Sequence, residues 1–259
     1  MKKLSTLILL FVVSCAAFPQ AAQNPSANSR QARAKLEAML EALGGQRWLS
    51  LQNSYTYGRV SGFYQGKPTG DIEDYFSWRT PTGEERVEYG KKHDDVEVFT
   101  GDKCWEATYQ GKRALPQDIC TDYWRRSSYS IDTALRVWMN DPRTIFIDDG
   151  QTLSERHLTD QVTLINVAND SMTIQMDAET HLPRSRTFQY RDPVYHDLDT
   201  EREEYDNYHL VDGFPTPFSI TRFHNGDITS QRYLYRAGYN VPLPPDAFNI
   251  DAAVAHIKK

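Results

Sequence analysis

The sequence predicts an α+β domain in which a curved antiparallel sheet is covered by an N-terminal helix and by a helical insertion near the middle of the chain. Apolar residues recur with helical spacing early in the chain and again within 117–140. The remaining segments have strand length, favour period-two alternation and are bounded by Gly, Pro, Asn and Asp. A sheet with so many strands must curl or close, and one of its faces must be buried under helices.

Residues 1–15 have the layout of a bacterial export signal. Met1-Lys2-Lys3 gives a positive start, and the apolar run Leu4–Val13 is shorter than the roughly 20 residues that a membrane-spanning helix needs. Val12-Val13-Ser14-Cys15 resembles the end of a lipoprotein signal, in which the cysteine is lipidated. Cys15 is therefore the predicted lipidation site, and the periplasmic face of the outer membrane is the predicted location.

An ordinary secretory signal shares this front end and differs only in its cleavage position. Cleavage after Ala17 or Ala22 would leave a soluble periplasmic protein. Residues 16–28 are rich in Ala, Gln, Asn, Ser and Pro, which predicts a disordered tether. Residues 29–259 are predicted to form a single domain.

The charge balance argues against one class of partner. The chain has 29 Lys and Arg against 35 Asp and Glu, a formal net charge of −6. Sequence-independent nucleic-acid binding needs a basic surface, so no nucleic-acid partner is expected. The 15 tyrosines favour sheet surfaces.

Two cysteines remain for pairing once Cys15 is lipidated or removed. In an oxidising compartment Cys104 and Cys120 are expected to form a disulfide, and the alternative is two reduced, half-buried thiols. The chain has no C-x-x-C pair, which argues against a redox role.

The helical and strand segments follow in order along the chain. Ser29–Leu43 carries one apolar stripe and ends at Gly44-Gly45. The helical insertion, Gln117–Asn140, ends before Pro142. Tight hairpin turns are predicted at Gly101-Asp102 and Asn225-Gly226. The predicted strands are Ser54–Gln65, Thr69–Thr80, Glu84–Tyr89, Asp95–Thr100, Lys103–Tyr109, Thr144–Asp148, Ser154–His157, Gln161–Val167, Ser171–Asp177, Arg184–Tyr190, Glu201–Leu210, Phe218–His224 and Ile228–Tyr239.

Three segments of the second half, Ile174–Pro183, Val211–Ile220 and Asp246–Ile250, carry a family resemblance. Together with the export signal and the helix end at Ala42-Leu43-Gly44-Gly45, they resemble the outer-membrane lipoprotein-sorting (LolA/LolB-like) superfamily of Gram-negative envelopes. The first turn has His181 where the family pattern usually has Gly. The resemblance implies an incomplete antiparallel barrel wrapped over helices, with an apolar cavity that holds acyl chains in the known carriers.

Apolar and aromatic residues in strands are candidates for the lining of such a cavity, although core packing is the alternative for each of them. One row is Ile72, Phe76 and Trp78, and the other is Met172, Ile174 and Met176, where flexible Met side chains suit irregular ligands. The predicted partner is a lipid or a lipoprotein acyl chain, with further envelope proteins as possible partners. Membrane contact would come through the lipid anchor on Cys15.

No catalytic motif, metal motif or cofactor motif is present in the sequence. G-x-S-x-G, H-E-x-x-H and a Gly-rich phosphate loop are all missing, so a non-enzymatic protein is predicted. The acidic stretch His196–Asp206 is interpreted as a solvated strand edge, with a weak Ca²⁺ site as the alternative. Two other hypotheses remain open, a lipid-anchored interaction module with a filled core and an enzyme with an unfamiliar site.

Overall fold

A computed structural model describes residues 26–101, 103–154, 156–243 and 246–257. The predicted signal peptide, Cys15 and most of the tether lie outside the described residues. Helix α1, Ala27–Leu43, begins two residues before the predicted start, and Ser26 Oγ caps it by accepting a bond of 3.0 Å from the Ser29 amide. A short helix α2, Gly45–Leu49, follows and buries Trp48.

The strands form one antiparallel sheet that does not close into a barrel, which confirms the predicted fold class. Each strand pairs with its neighbours in sequence within two meanders, β1–β6 and β7–β13. Pairing of β1 with β13 joins the two meanders. The first meander contains β1 Ser54–Tyr64, β2 Lys67–Arg79, β3 Glu85–Tyr89, β4 Asp95–Thr100, β5 Lys103–Thr108 and β6 Gly111–Ala114. The second contains β7 Ile145–Ser154, β8 His157–Ile165, β9 Ser171–Asp177, β10 Pro183–Arg191, β11 Leu198–Val211, β12 Phe214–His224 and β13 Asp227–Tyr239.

The mid-chain helical region follows β6 and precedes β7 in the sequence, and it is broken rather than continuous. It consists of α3, Gln117–Ser128, α4, Ile131–Arg136, and a 3₁₀ turn, Trp138–Asn140. The break occurs because Ser130 caps a new helix, its Oγ accepting a bond of 3.1 Å from the Thr133 amide. A disulfide between Cys104 and Cys120, with Cα atoms 5.5 Å apart, ties α3 to β5 and confirms the predicted pair.

Helices α1, α3 and α4 cover one face of the sheet, which we call the inner face. Helix α1 packs against β7 and β8, and its stripe Ala32, Leu36, Met39 and Leu43 is buried there. Helix α3 covers the first meander, where the Tyr123 ring stacks on Phe99 with centroids 3.9 Å apart. The helices of the inner face therefore cover different parts of the sheet.

A C-terminal helix, α5 Ile250–Ile257, was not predicted and covers the opposite, outer face. Along β4, Val96 and Val98 alternate with Glu97 and Phe99, so they point away from α3. Val96 and Val98 pack instead against α5 in a small separate core that includes Ile250 and Ala253. Burial on both faces explains why this strand lacks a simple in-and-out pattern.

The predicted Asn225-Gly226 turn connects β12 and β13. Both residues have positive φ, 51° and 89°, as a primed two-residue hairpin turn requires. Asp102 of the other predicted turn lies outside the described residues. The segments predicted around 144–157 as two strands form the single strand β7 and the start of β8.

Candidate functional site

A cavity of about 460 Å³ lies between the inner face of the sheet and the helices α3 and α4. Strands from both meanders contribute to its lining, so the β1–β13 junction runs beneath it. Its size falls within the range of small-molecule pockets in proteins, roughly 300–1,000 Å³. This cavity is the candidate functional site.

One part of the cavity wall is apolar. Trp48 of α2, Ile131 of α4 and Ile220 of β12 line it, together with prolines at the start of β12. A smaller cavity of about 190 Å³ adjoins this part, because Trp48, Ile220 and Tyr239 line both. The apolar wall therefore continues toward the C-terminal end of α2.

A buried ion network lies on the sheet side of the cavity. Glu203 of β11 accepts a bond of 3.0 Å from Arg186 Nε, one of 2.8 Å from Arg222 Nε and one of 2.8 Å from Tyr205 Oη. Burial alone would raise the pKa of Glu203, but the Arg186 and Arg222 guanidiniums hold it well below its ordinary value. Arg186 also donates to the Tyr129 carbonyl, 2.8 Å away, and so links the sheet to the end of α3.

A second charged group lies across the cavity on the first meander. Glu85 of β3 accepts a bond of 2.5 Å from Ser77 Oγ. Burial would raise the pKa of Glu85, but the positive charges of Arg79 and Arg232 lower it overall. Arg79 donates to Ser127 Oγ at 3.1 Å, which connects this strand to α3.

Glu97 of β4 has a different protonation behaviour. Its carboxylate accepts a bond of 3.2 Å from Tyr89 Oη. Burial raises the pKa of Glu97 to about 7, and the negative charges of Asp95 and Glu106 act in the same direction. The cavity therefore contains one carboxyl group that titrates near neutral pH.

The predicted cavity row Met172, Ile174 and Met176 faces the inner side of the sheet and is fully buried. It does not line the cavity; it belongs to the core cluster that also contains the buried stripe of α1. The alternating pattern identified its buried face, but the space in front of this face is filled by a core cluster to which α1 and α4 contribute.

The predicted row Ile72, Phe76 and Trp78 lies on the outer face, away from the cavity. Ile72 is 59% exposed. Phe76 stacks on Tyr57 with centroids 4.5 Å apart, and Trp78 contacts Tyr55 at 5.2 Å. On β2 the inner face belongs instead to Tyr75, Ser77 and Arg79, because a period of two separates the faces without showing which one is covered.

Sequence patterns did not single out the arginines of the cavity. The signal that could have found them is a charged residue at a core-facing strand position, which is the position of Arg186, Arg222 and Arg232.

The interpretation of His196–Asp206 as a solvated strand edge is wrong for its centre. β11 lies inside the sheet between β10 and β12, and Glu203 is buried because two arginines neutralise it.

The part of the chain that the structure describes has neither a metal-binding cluster nor a membrane-spanning helix. Within it, no group of three or more His, Cys, Asp or Glu side chains is arranged to hold a metal ion. No helix among the same residues is long and apolar enough to cross a membrane.

Several solved structures share this architecture. No protein-family model and no curated protein sequence matches the chain. A DUF1329 family protein from Desulfovibrio piger superposes with a TM-score of 0.60 at 12% identity. A domain from Vibrio parahaemolyticus described as an outer membrane lipoprotein-sorting protein gives 0.57 at 9%, and a LolA superfamily protein from Nitrosomonas europaea gives 0.51 at 11%. Each match covers 88% of this chain and 100% of the other.

These similarities concern the fold, since the identities are low. The single curved antiparallel sheet, its open edges at β6 and β7 and the helices on its inner face are the features that the resemblance implied. The chain therefore has the fold of the LolA-like lipoprotein-sorting proteins.

Proposed function

We propose that this protein is a non-enzymatic envelope protein that binds an acyl chain of a lipid or lipoprotein in the cavity beneath α3 and α4. The observation that carries the proposal is the cavity of about 460 Å³, which has an apolar wall and is bounded by the inner face of a lipoprotein-sorting fold. Transport of the bound lipid toward the outer membrane is the role that fits such a carrier.

The driving force would be burial of the chain away from water. Each buried CH₂ group contributes about 0.8 kcal/mol, so an apolar wall competes with a membrane for an acyl chain. The wall around Trp48, Ile131 and Ile220 provides this surface. Release would need a change in the shape of the cavity or an acceptor that binds the chain more tightly.

The export signal that the sequence predicts supports the envelope location that this role requires. Lipidation of Cys15 would hold the domain at the periplasmic face of the outer membrane, whereas cleavage after Ala17 or Ala22 would release it into the periplasm. Both locations allow contact with lipid or lipoprotein substrates.

Filling the cavity tests the proposal. The full chain would be expressed in a Gram-negative host, and non-covalently bound lipid would be extracted and measured by mass spectrometry. We expect stoichiometric lipid in the wild type and a loss of most of it in Ile220→Trp, because the larger ring occupies the apolar wall. Ile72→Trp makes the same change on the outer face, where Ile72 is exposed, and should retain the lipid.

A wild-type protein that is stable but free of lipid would contradict the proposal. It would instead support an anchored interaction module that acts through its surface. Thermal unfolding of both variants checks that Ile220→Trp remains folded.

A further inference from the structure

Two half-buried arginines line the cavity without an ion-pair partner among the described residues. Arg126 of α3 forms no ion pair or hydrogen bond with the described residues. Arg232 of β13 has a buried Nε without a hydrogen-bond partner within the same part of the chain, and its guanidinium lies 5.3 Å from the centre of the Tyr75 ring. The Arg232 Nε is a buried donor without a partner, and such a donor is costly enough to need a physical explanation.

Three other arginines of the lining have partners among the described residues. Arg186 and Arg222 share Glu203, each with a nitrogen within 3 Å of its carboxylate. Arg79 donates to Ser127 Oγ. Arg126 and Arg232 thus differ from the neighbouring arginines because no carboxylate or hydroxyl group of the described residues accepts from their guanidinium groups, which could therefore bind an anion.

The charges around the cavity also favour an anion. Among the described residues its lining contains five arginines, Arg79, Arg126, Arg186, Arg222 and Arg232, against four acidic residues, Glu85, Glu97, Asp132 and Glu203. Asp132 is paired with Arg136, 3.1 Å away, which does not line this cavity. Glu97, with a pKa of about 7, carries only part of a negative charge at neutral pH. The cavity is therefore positive overall.

A bound anion would stabilise the charged form of the Arg126 guanidinium. Burial lowers the pKa of Arg126 and the positive charge of Arg222 lowers it further, and together they outweigh the negative charges of Glu201, Asp122 and Glu203, which raise it. An anion between α3 and the sheet would relieve this repulsion. It would also replace the water that the guanidinium loses on burial.

We infer that the ligand of the cavity is an amphiphile with an anionic head, a carboxylate or a phosphate, which Arg126 and Arg232 bind while its apolar chain lies along the wall at Trp48, Ile131 and Ile220. The inference rests on the proposed function and specifies its ligand class. The two arginines come from different elements, α3 and β13, so an anion that contacts both would hold the helix against the sheet. Recognition of the head group would then also close the cavity around the chain.

The first test compares ligands on the unmodified protein after bound lipid has been removed. Binding of palmitate and hexadecyl phosphate is measured by displacement of an apolar fluorescent dye, with methyl palmitate as the neutral chain and inorganic phosphate as the anion without a chain. We expect both anionic amphiphiles to bind roughly 10- to 100-fold more tightly than methyl palmitate, because hydrogen bonds to a charged head are strong. Inorganic phosphate should compete only weakly.

The second test removes the two charges. In Arg126→Met/Arg232→Met the affinity for palmitate should fall to that for methyl palmitate, whereas the affinity for methyl palmitate should stay unchanged. The latter measurement shows that the cavity is still formed. Arg236→Met is the matched control, because Arg236 lies on the same strand, is exposed and does not line the cavity. Compared with that double variant, Arg126→Met/Arg232→Lys should recover part of the preference for palmitate over methyl palmitate.

The outcomes separate the inference from the function on which it rests. Equal binding of palmitate and methyl palmitate by the wild type would overturn the anionic head and leave the acyl-chain site intact. Failure of all three amphiphiles to bind would overturn both. Tight, arginine-dependent binding of inorganic phosphate without any amphiphile preference would also overturn the inference, since the cavity would then be a site for a free anion.

Discussion

Glu97 is a residue whose chemistry departs from what its type suggests. An exposed glutamate is charged at neutral pH, but Glu97 lies in the cavity wall with Asp95 and Glu106 nearby, and its pKa is raised to about 7. In the unfolded chain the ordinary value of 4.5 applies. The folded state therefore binds this proton more tightly than the unfolded state does.

This difference predicts a pH-dependent loss of stability. Because the folded-state pKa is raised, the cost of ionising Glu97 is absent below pH 4.5 and grows as the pH rises from about 4.5 to about 7. At pH 8 the accumulated cost is about 3 kcal/mol. We expect Glu97→Gln to match the wild type in unfolding free energy at pH 4.5 and to exceed it at pH 8, in urea titrations. An equal difference at both pH values would contradict the raised pKa, and Glu179→Gln, at an exposed turn, serves as the control.

Helix α3 is the element whose position determines whether the cavity exists. Specific contacts hold it in place: Tyr123 stacks on Phe99 of β4 and donates to the Gly83 carbonyl of the β2–β3 connection, and Arg79 of β2 donates to Ser127. The disulfide joins its first turns to β5. Since α3 also contributes Arg126, its attachment affects both the shape and the charge of the site.

Removing the disulfide should loosen this element. Cys104 and Cys120 are 16 residues apart in sequence, and closing a loop of that size stabilises by about 3 kcal/mol in the chain-entropy model. We expect Cys104→Ser/Cys120→Ser to lose stability of this order in thermal or denaturant unfolding and to release bound lipid faster. Reductant should destabilise the wild type to the same extent and leave the variant unchanged. A reductant effect on the variant would assign the loss to another cause.

At the scale of the whole molecule, the two meanders depend on one junction. β1 and β13 are far apart in sequence, and their pairing makes one sheet from two. The register shifts at Tyr57/Gly58, where the backbones approach closely. A Cβ at Gly58 would lie 2.2 Å from the Tyr233 carbonyl oxygen, which is backbone and does not move easily. Gly58 therefore permits the close approach on which the undivided cavity depends.

A small substitution at this junction should have a large effect. We expect Gly58→Ala to cost about 2 kcal/mol or more of unfolding free energy, as forced repacking does, and to reduce ligand retention. Gly62→Ala on the same strand is the matched control, since its Cβ would meet only the Thr69 Oγ1 side-chain atom, 3.2 Å away. Equal stability of the two variants in denaturant unfolding would contradict the role of Gly58.

Local chemistry explains which features were predictable. The α1 stripe, the Asn225-Gly226 turn and the cysteine pair each depend on a few nearby residues or on the compartment, so the sequence pattern was sufficient. The cavity was not predictable in the same way. Ile72 and Ile174 have equally good strand patterns, yet Ile72 is exposed on the outer face and Ile174 is buried in the core cluster of the inner face.

The sequence alone determined the fold class, because hydrophobic periodicity and turn residues act over short distances, and its apolar N-terminal run predicts an export signal from an equally local pattern. Only the tertiary structure decided where the cavity lies and what lines it. That depends on which strands pair across the β1–β13 junction and on which part of the inner face each helix covers. The approach of Arg126 to Arg222 is a long-range result of this packing, since burial and charge depend on neighbours that lie far apart in the chain.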